Sequence, residues 1–308
     1  MAVVNCNPEF GIELVLAVPY AYWLYEHGEL DGVITSTGMK PFYFFTDNVE
    51  ERYTFRTIDN KAANMDSLPN NWIYGPNSNV EPGVLNYDQW SVPPFKDFYK
   101  NDEIIFDKPY IVVSNKYNWE HGHEPYGFFD IKCLYEMFNY LTDKGYTVIY
   151  KRPKNDEFPL DQNEIVGLRQ GFRDIVSDVE GIGKINDFQL ATYYDGVYCL
   201  DDLLNTYSNY SYNELQLKLY ANASGFISVG GGNCLLCCLF QKPTVVYFGG
   251  NMVESCRPNF WTKNNYHFKI NPLIKPVLDN DRKIMLNDEY REFIETIKNT
   301  FIGEENEQ

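Results

Sequence analysis

Cations are scarce in this 308-residue chain: 26 Lys and Arg stand against 43 Asp and Glu, a formal net charge of -17. No Lys/Arg-rich run interrupts that balance. Such a surface repels phosphate backbones and anionic headgroups, so no nucleic-acid partner is expected. Any phosphate ligand must instead be held by a few specific cations and backbone amides. Long apolar runs are also missing. The longest, Ile12 to Tyr25, contains Glu13 and Pro19 and falls short of a membrane span. Histidine is rare, at four, which disfavours chemistries that need several imidazoles in one site. There is no GxGxxG and no GK[ST], so neither phosphate-loop signature is present. No signal peptide is recognisable, and the seven cysteines are odd in number, so a reduced, cytoplasmic setting is expected.

What is present is core material. Hydrophobic residues make up 44% of the chain and aromatics 17%, with 25 Tyr and 21 Phe. The length suits two α/β lobes. "GIELVLAVPYAYWLYEH" (11–27) is apolar nearly all round and predicts a buried helix bent at Pro19. "DGVITSTG" (31–38) and "PFYFF" (41–45) predict short strands. Residues 59–100 lack periodicity and predict long loops. "KPYIVVSNK" (108–116), "DIKCLYEMFNYLTDKG" (130–145) and "YTVIYKRP" (146–153) predict a βαβ unit and hence a parallel sheet. A helix over 163–178 and a strand "GVYCL" (196–200) come next. In "SYNELQLKLYANA" (211–223), Ser211 and Glu214 form a capping box at a helix start. "GFISVG" and "PTVVYFG" complete a second βαβ run, and residues 287–301 predict an amphipathic terminal helix.

The lobe boundary is placed near 107. Residues 1–107 would form a smaller, irregular lobe and 108–278 a Rossmann-like lobe. Residues 279–308 would form a helical tail that packs back on the first lobe.

The densest signal is "GFISVGGGNCLLCCLF" (225–240). Gly230, Gly231 and Gly232 follow a strand, and Asn233 and Cys234 open a helix. Parallel sheets bind ligands beyond the carboxyl ends of their strands. A helix start offers unpaired amides and partial positive charge, and glycine lets an anion approach closely. A diphosphate is the expected occupant, and tight strand–helix packing is the competing explanation. Lys116, Lys151 and Arg152 end neighbouring strands, where they either neutralise phosphate or stand as solvated strand ends.

The stretch "SYNELQLKLYANASGFISVGGGNCLLCCLFQKPTVVYFG" resembles the donor lobe of GT-B glycosyltransferases, the heptosyltransferase-like group above all. Helix, strand, glycine turn, helix, then Lys242-Pro243-Thr244 leading to Phe248-Gly249 carry the likeness over about residues 211–250. "EFGIELVLAVPYAYWLYEHGEL" is similar to the opening turn and helix of the acceptor lobe. The heptosyltransferase-like pattern has an Asp and a Ser before the last glycine and a His in the helix. This chain has Gly230, Gly231 and Leu235 there.

The resemblance implies two Rossmann-like lobes with parallel sheets and a cleft between them. It implies transfer of a sugar from a nucleotide-diphosphate donor to a carbohydrate acceptor hydroxyl, with no metal and no separate cofactor. The leaving diphosphate needs preorganised amides and cations, for which the 230–234 turn, Lys116, Lys151 and Arg152 are the candidates. An inverting reaction needs a base for the acceptor proton. Glu13 is the first candidate and Glu120 the second, with helix-dipole compensation as the other role for Glu13. Glu214 would bind ribose, cap its helix, or both.

Other GT-B-like enzymes (a pyruvyl transferase or a nucleotide-sugar epimerase) and a noncatalytic nucleotide- or carbohydrate-binding protein are the alternatives. The loop around His121 and His123, with Glu120, Glu124, Tyr117 and Trp119, is expected to line the cleft rather than bind metal. Asp279-Asn280-Asp281 is expected to be a solvated turn and cap. Cys234, Cys237 and Cys238 are expected to be small packing residues. Glu50, Glu51, Arg52 and Arg56 suit an acceptor surface or a solvated edge. The oligomeric state is left open.

Overall fold

The computed structural model describes residues 1–54, 63–70, 72, 75, 85–117, 127–152, 175–249, 269–279 and 291–302. Two parallel sheets dominate, in keeping with the α/β class that the sequence predicts. The first joins β1 (Ala2–Asn5), β2 (Leu30–Ser36) and β3 (Val49–Tyr53) in that order. The second is six-stranded. It comprises β4 (Tyr110–Ser114), β5 (Thr147–Lys151), β8 (Val197–Cys199), β9 (Gly225–Val229), β10 (Thr244–Gly249) and β11 (Ile274–Asp279). Their spatial order is β11-β10-β9-β4-β5-β8, and every pairing is parallel. Between β5 and β8 in sequence, β6 (Val176–Val179) and β7 (Gly183–Asn186) form an antiparallel pair.

The strands β4, β5, β9 and β10 are buried at every position, as expected for apolar runs covered on both faces. Alternation divides them between two cores. Tyr110, Val112, Ile149, Phe226 and Val246 share a core with Val4, Val15 and Val33 of the first sheet's side and with Leu215 and Leu235. Those last two belong to α7 (Tyr212–Asn222) and α8 (Gly232–Leu239). Ile111, Val113, Val148, Ile227 and Val245 point the other way. They meet Leu134 and Phe138 of α4 (Ile131–Asp143), Leu190 of α5 (Asp187–Thr192) and the C-terminal helix α9 (Arg291–Lys298).

The C-terminal helix, which the sequence reading expects to pack back on the first lobe, lies as α9 against the six-stranded sheet. Its Phe293 stacks on Phe129 with centroids 5.2 Å apart and meets Tyr247 at 6.0 Å, so its apolar face closes the second core of the six-stranded sheet.

The first helical segment runs as α1 (Phe10–Ile12), a π-helical turn (Glu13–Ala17) and α2 (Val18–Glu26). Pro19 sits in the first turn of α2. It has no N–H to offer Val15, four residues back, and the Val15 carbonyl instead accepts from the Trp90 indole at 2.6 Å.

"PFYFF" is not a strand. Residues Lys40–Tyr43 form a 3₁₀ turn with Pro41 near its start. There Phe42 packs edge-on to Phe10 at 5.5 Å and meets Phe95, the first residue of α3 (Phe95–Phe98), at 6.3 Å. The expected 163–178 helix is contradicted at its end, because Val176 begins β6, and residues 163–174 lie outside the described residues. Among the described residues, no helix is long and apolar enough to cross a membrane.

Candidate anion-binding site

The six-stranded sheet starts at β4, winds outward through β5 and β8, then returns to β9 on the other side and continues to β10 and β11. The winding direction therefore reverses between β4 and β9. At such a reversal the connections leave in opposite directions and open a crevice beyond the carboxyl ends of the two strands. Ser114, Asn115 and Lys116 end one strand, and Gly230, Gly231 and Gly232 end the other.

Asn115 fixes the β4 exit. Its buried side-chain oxygen accepts from the Lys116 and Phe129 amides at 2.9 Å each, and its NH2 donates to the Phe129 carbonyl at 2.9 Å and to the Tyr150 hydroxyl at 3.2 Å. The β9 exit is fixed differently. Gly230 still donates to the Tyr247 carbonyl at 2.9 Å, extending the ladder by one residue. Gly231 then takes φ 129°, ψ -165° and becomes the N-cap of α8 without a side chain to cap it. A Cβ-bearing residue rarely adopts that conformation. Gly231 therefore offers α8's first turn no side-chain cap.

Gly231, Gly232 and Asn233 are partly exposed, so the bend is not sealed inside the protein. A Cβ added to Gly231 would stand 3.6 Å from Lys116 Nζ. Lys116 thus brings a cation from the β4 side to the glycine bend on the β9 side.

Lys151 ends β5 and Arg152 follows it, and neither is solvated: they are 1% and 3% exposed. Arg152 is committed to buried Asp187, with Nη2 donating to Oδ1 at 2.8 Å and Nε to Oδ2, to which the Tyr150 hydroxyl also donates at 2.7 Å. Its guanidinium lies 4.3 Å from the Phe188 ring centroid. Lys151 donates to Gln216 Oε1 at 2.7 Å and to Asn233 Oδ1 at 2.8 Å, between the rings of Tyr212 and Tyr220. It lies under the first turn of α8, whereas Lys116 lies at its rim. Cys234, the next residue of that turn, is buried.

Glu214 completes the expected capping box, with Oε2 accepting from the Ser211 amide at 2.9 Å and its own amide donating to Ser211 Oγ at 3.2 Å. The adjacent Asn213 crosses to the first lobe and donates to the Gly38 carbonyl at 2.7 Å. Cys237 and Cys238 are wholly buried in α8, and burial raises the Cys237 thiol pKa far above its ordinary value. Asp279 departs from its expected place in a solvated turn. It is the last residue of β11, 5% exposed, and accepts from the Tyr247 hydroxyl at 2.8 Å.

The first lobe meets the bend through another glycine. A Cβ on Gly11 would lie 3.1 Å from Gly232 Cα and 3.0 Å from Leu235 Cδ1. Glu9 caps this helix start, its Oε1 accepting from the Gly11 amide at 3.3 Å. Two helix starts therefore abut at the glycine pair.

Glu13, two residues further on, is wholly buried. Its Oε1 accepts from the Tyr43 hydroxyl at 2.9 Å and from the Thr35 hydroxyl. Burial, the Cys6 thiol and this carboxylate together raise the Tyr43 pKa well above its ordinary value. Arg52 forms an exposed bidentate pair with Glu50, both bonds 2.7 Å, on β3. Tyr117 packs on Phe128 at 4.7 Å.

Glu120, Trp119, His121, His123, Glu124, Arg56, Asn280 and Asp281 lie outside the described residues. Sequence reasoning missed Asn115, Asp187, Gln216 and the acceptor role of Asn233. Asn115 carried the clearest local signal, an Asn between the last strand residue and a lysine at a predicted sheet end.

No family model matches this sequence, and no curated protein matches it. Among solved structures, the chain is similar to the bacterial iron-containing dodecameric glycosyltransferase TibC from enterotoxigenic E. coli H10407. Identity is 13% and the TM-score 0.43, over 89% of this chain and 61% of that one. The dodecameric iron-containing heptosyltransferase TibC in complex with ADP-D-beta-D-heptose is similar at 11% identity, TM-score 0.39, with the same coverage. The chain thus spans about three-fifths of these proteins' length.

Proposed function

We propose that the glycine bend holds the diphosphate of a nucleotide sugar, and that the protein transfers the sugar to a carbohydrate hydroxyl without a metal. The carrying observation is the convergence of Lys116 Nζ and the uncapped start of α8 at the point where the sheet reverses. An amide cluster and a lysine ammonium at one spot suit an anion that gains charge as its bond to the sugar breaks. In this reading residues 108–278 bind the donor and 1–107 face the acceptor across a cleft. Glu214, at the start of α7, reaches the ribose. Arg152 serves the fold through Asp187 and is not a phosphate ligand.

Of the two carboxylates expected to take the acceptor proton, only Glu13 is described, and it is turned into the first lobe. The variant E13Q tests it. A fall in kcat of about a hundredfold or more at unchanged stability assigns the base to Glu13. A loss of stability assigns it the role of an internal strut. The burial of Glu13 favours one second reading, a nucleotide-binding protein without transferase activity.

A thermal-shift panel of UDP, GDP, ADP and CMP with their sugars separates these readings. A ligand at a hundred times its Kd stabilises the native state by about 2.7 kcal/mol. Stabilisation with donor turnover supports transfer, stabilisation without turnover supports binding alone, and no response contradicts both.

A further inference from the structure

We infer that Lys151 is a positioning residue that acts on the anion through Asn233, resting on the reading of the glycine bend as a diphosphate site. Three observations lead there. First, Lys151 is 1% exposed and lies beneath α8, so its ammonium does not share the rim with Lys116. Second, its Nζ donates to Asn233 Oδ1 at 2.8 Å. Asn233 is the second residue of α8, beside the bend, and is itself partly exposed. With the side-chain oxygen held from below, the NH2 half of the amide is the part left to face outward, as an added donor beside the backbone amides of the first turn. An asparagine amide without such a hold could present oxygen to the anion, which would repel it.

Third, the lysine is itself held in a chain of amides. Nζ donates to Gln216 Oε1 at 2.7 Å, and Gln216 Nε2 donates to Asn213 Oδ1. Asn213 Nδ2 in turn donates to the Gly38 carbonyl of the first lobe at 2.7 Å. All three of Lys151, Gln216 and Asn213 are buried. The polarity of the chain is set at one end by Lys151, which only donates. The amide orientations follow from it: Gln216 must accept through oxygen and donate through nitrogen, and so must Asn213. The orientation of Asn233 is therefore tied, through the three side chains of Lys151, Gln216 and Asn213, to the Gly38 carbonyl. Replacing Lys151 with a residue that cannot donate releases the Asn233 amide, while the Gly38 carbonyl, which only accepts, still orients Asn213 and Gln216.

The test uses the full chain and inorganic pyrophosphate, titrated by calorimetry into wild type, K151M, N233A and the double variant. Each single change is expected to weaken binding about tenfold, the loss of one good hydrogen bond to a charged group. The double change is expected to weaken it no further, because both remove the same donor. K151Q, which keeps a donor, is the conservative control and is expected to retain most of the affinity. If K151M does not fold, N233A at its partly exposed position and K151Q carry the test, and a loss of about tenfold in K151Q overturns the inference. A spectroscopic readout separates positioning from general loosening. The 15N side-chain amide resonance of Asn233, assigned by its absence in N233A, is expected to shift on adding pyrophosphate to wild type and not to shift in the Lys151 variant.

Multiplicative losses in the double variant, or an Asn233 resonance that responds equally in both proteins, overturn the inference and leave the anion site standing. Failure of the wild-type protein to bind pyrophosphate contradicts the anion site itself, and the inference with it.

Discussion

Lys116 and Gly231 meet across the reversal point of the six-stranded sheet, with Lys116 Nζ 3.6 Å from where a Cβ on Gly231 would stand. The lysine leaves β4 and the glycine leaves β9, two strands paired in parallel through Ser114 and Ser228. Their approach gives the first prediction. G231V strains a backbone held at φ 129°, a cost of roughly 1–3 kcal/mol, and crowds the lysine. It should abolish nucleotide-induced thermal stabilisation. K116A should leave the fold intact and weaken nucleoside diphosphate binding roughly tenfold or more, read by calorimetry.

The glycine pair at the lobe contact gives the second. A side chain at Gly11 meets Gly232 Cα at 3.1 Å and Leu235 Cδ1 at 3.0 Å. G11V therefore forces two packed helix starts apart and should cost roughly 1–3 kcal/mol of stability, measured by urea unfolding. G28A meets open space but stands at φ 67°, so it should cost only its backbone strain, roughly 1–2 kcal/mol.

Arg152 and Asp187 give the third. Each is almost wholly buried, at 2% and 0% side-chain exposure, and the pair is bidentate. D187A leaves a guanidinium buried without its carboxylate, a change that typically costs about 3–5 kcal/mol. The urea midpoint should fall sharply. If Arg152 were instead held for a ligand, D187A would strengthen nucleotide binding at little cost in stability.

Lys242 gives the fourth, through pH. Burial, with Lys96 and Lys100 nearby, lowers its pKa to about 8. Its Nζ donates to the Ala221 carbonyl at 2.5 Å and to that of Ala223, at the end of α7. In the unfolded chain a lysine titrates near 10.4. Between about pH 8 and 10.4 the unfolded state therefore binds more protons than the folded one, and stability attributable to this residue rises with pH. Buried tyrosines such as Tyr110, whose pKa burial raises, oppose this near pH 10, so the window to read is pH 8 to 9.5. Wild type should gain stability across that window relative to K242M, in matched urea titrations. A flat difference would contradict the shift.

Much of this was legible in the residues. The capping box at Ser211 and Glu214 starts α7 where expected. Gly145 closes α4, which ends at Asp143 with Gly145 at φ 82°. The apolar runs of β4, β5, β9 and β10 gave the parallel sheet, because strands buried on both faces carry few polar residues. The rest depends on partners distant in sequence. Lys151 and Arg152 read as a pair of equivalent strand-end cations. Alternation in β5 sends them to opposite faces, one to Gln216 and Asn233, the other to Asp187. "PFYFF" has strand composition, but Pro41 and the pocket between Phe10 and Phe95 turn it into a 3₁₀ segment. Asp279 has the look of a surface turn until Tyr247 is seen to donate to it.

The central claim is most directly tested by a crystal structure of the full chain grown with a nucleoside diphosphate, UDP first and ADP and GDP next. A diphosphate whose oxygens lie roughly 3 Å from the Gly232 and Asn233 amides, with Lys116 Nζ in contact, is the predicted result. A nucleotide bound away from the glycine bend, or a bend occupied only by its own side chains at saturating nucleotide, would contradict it.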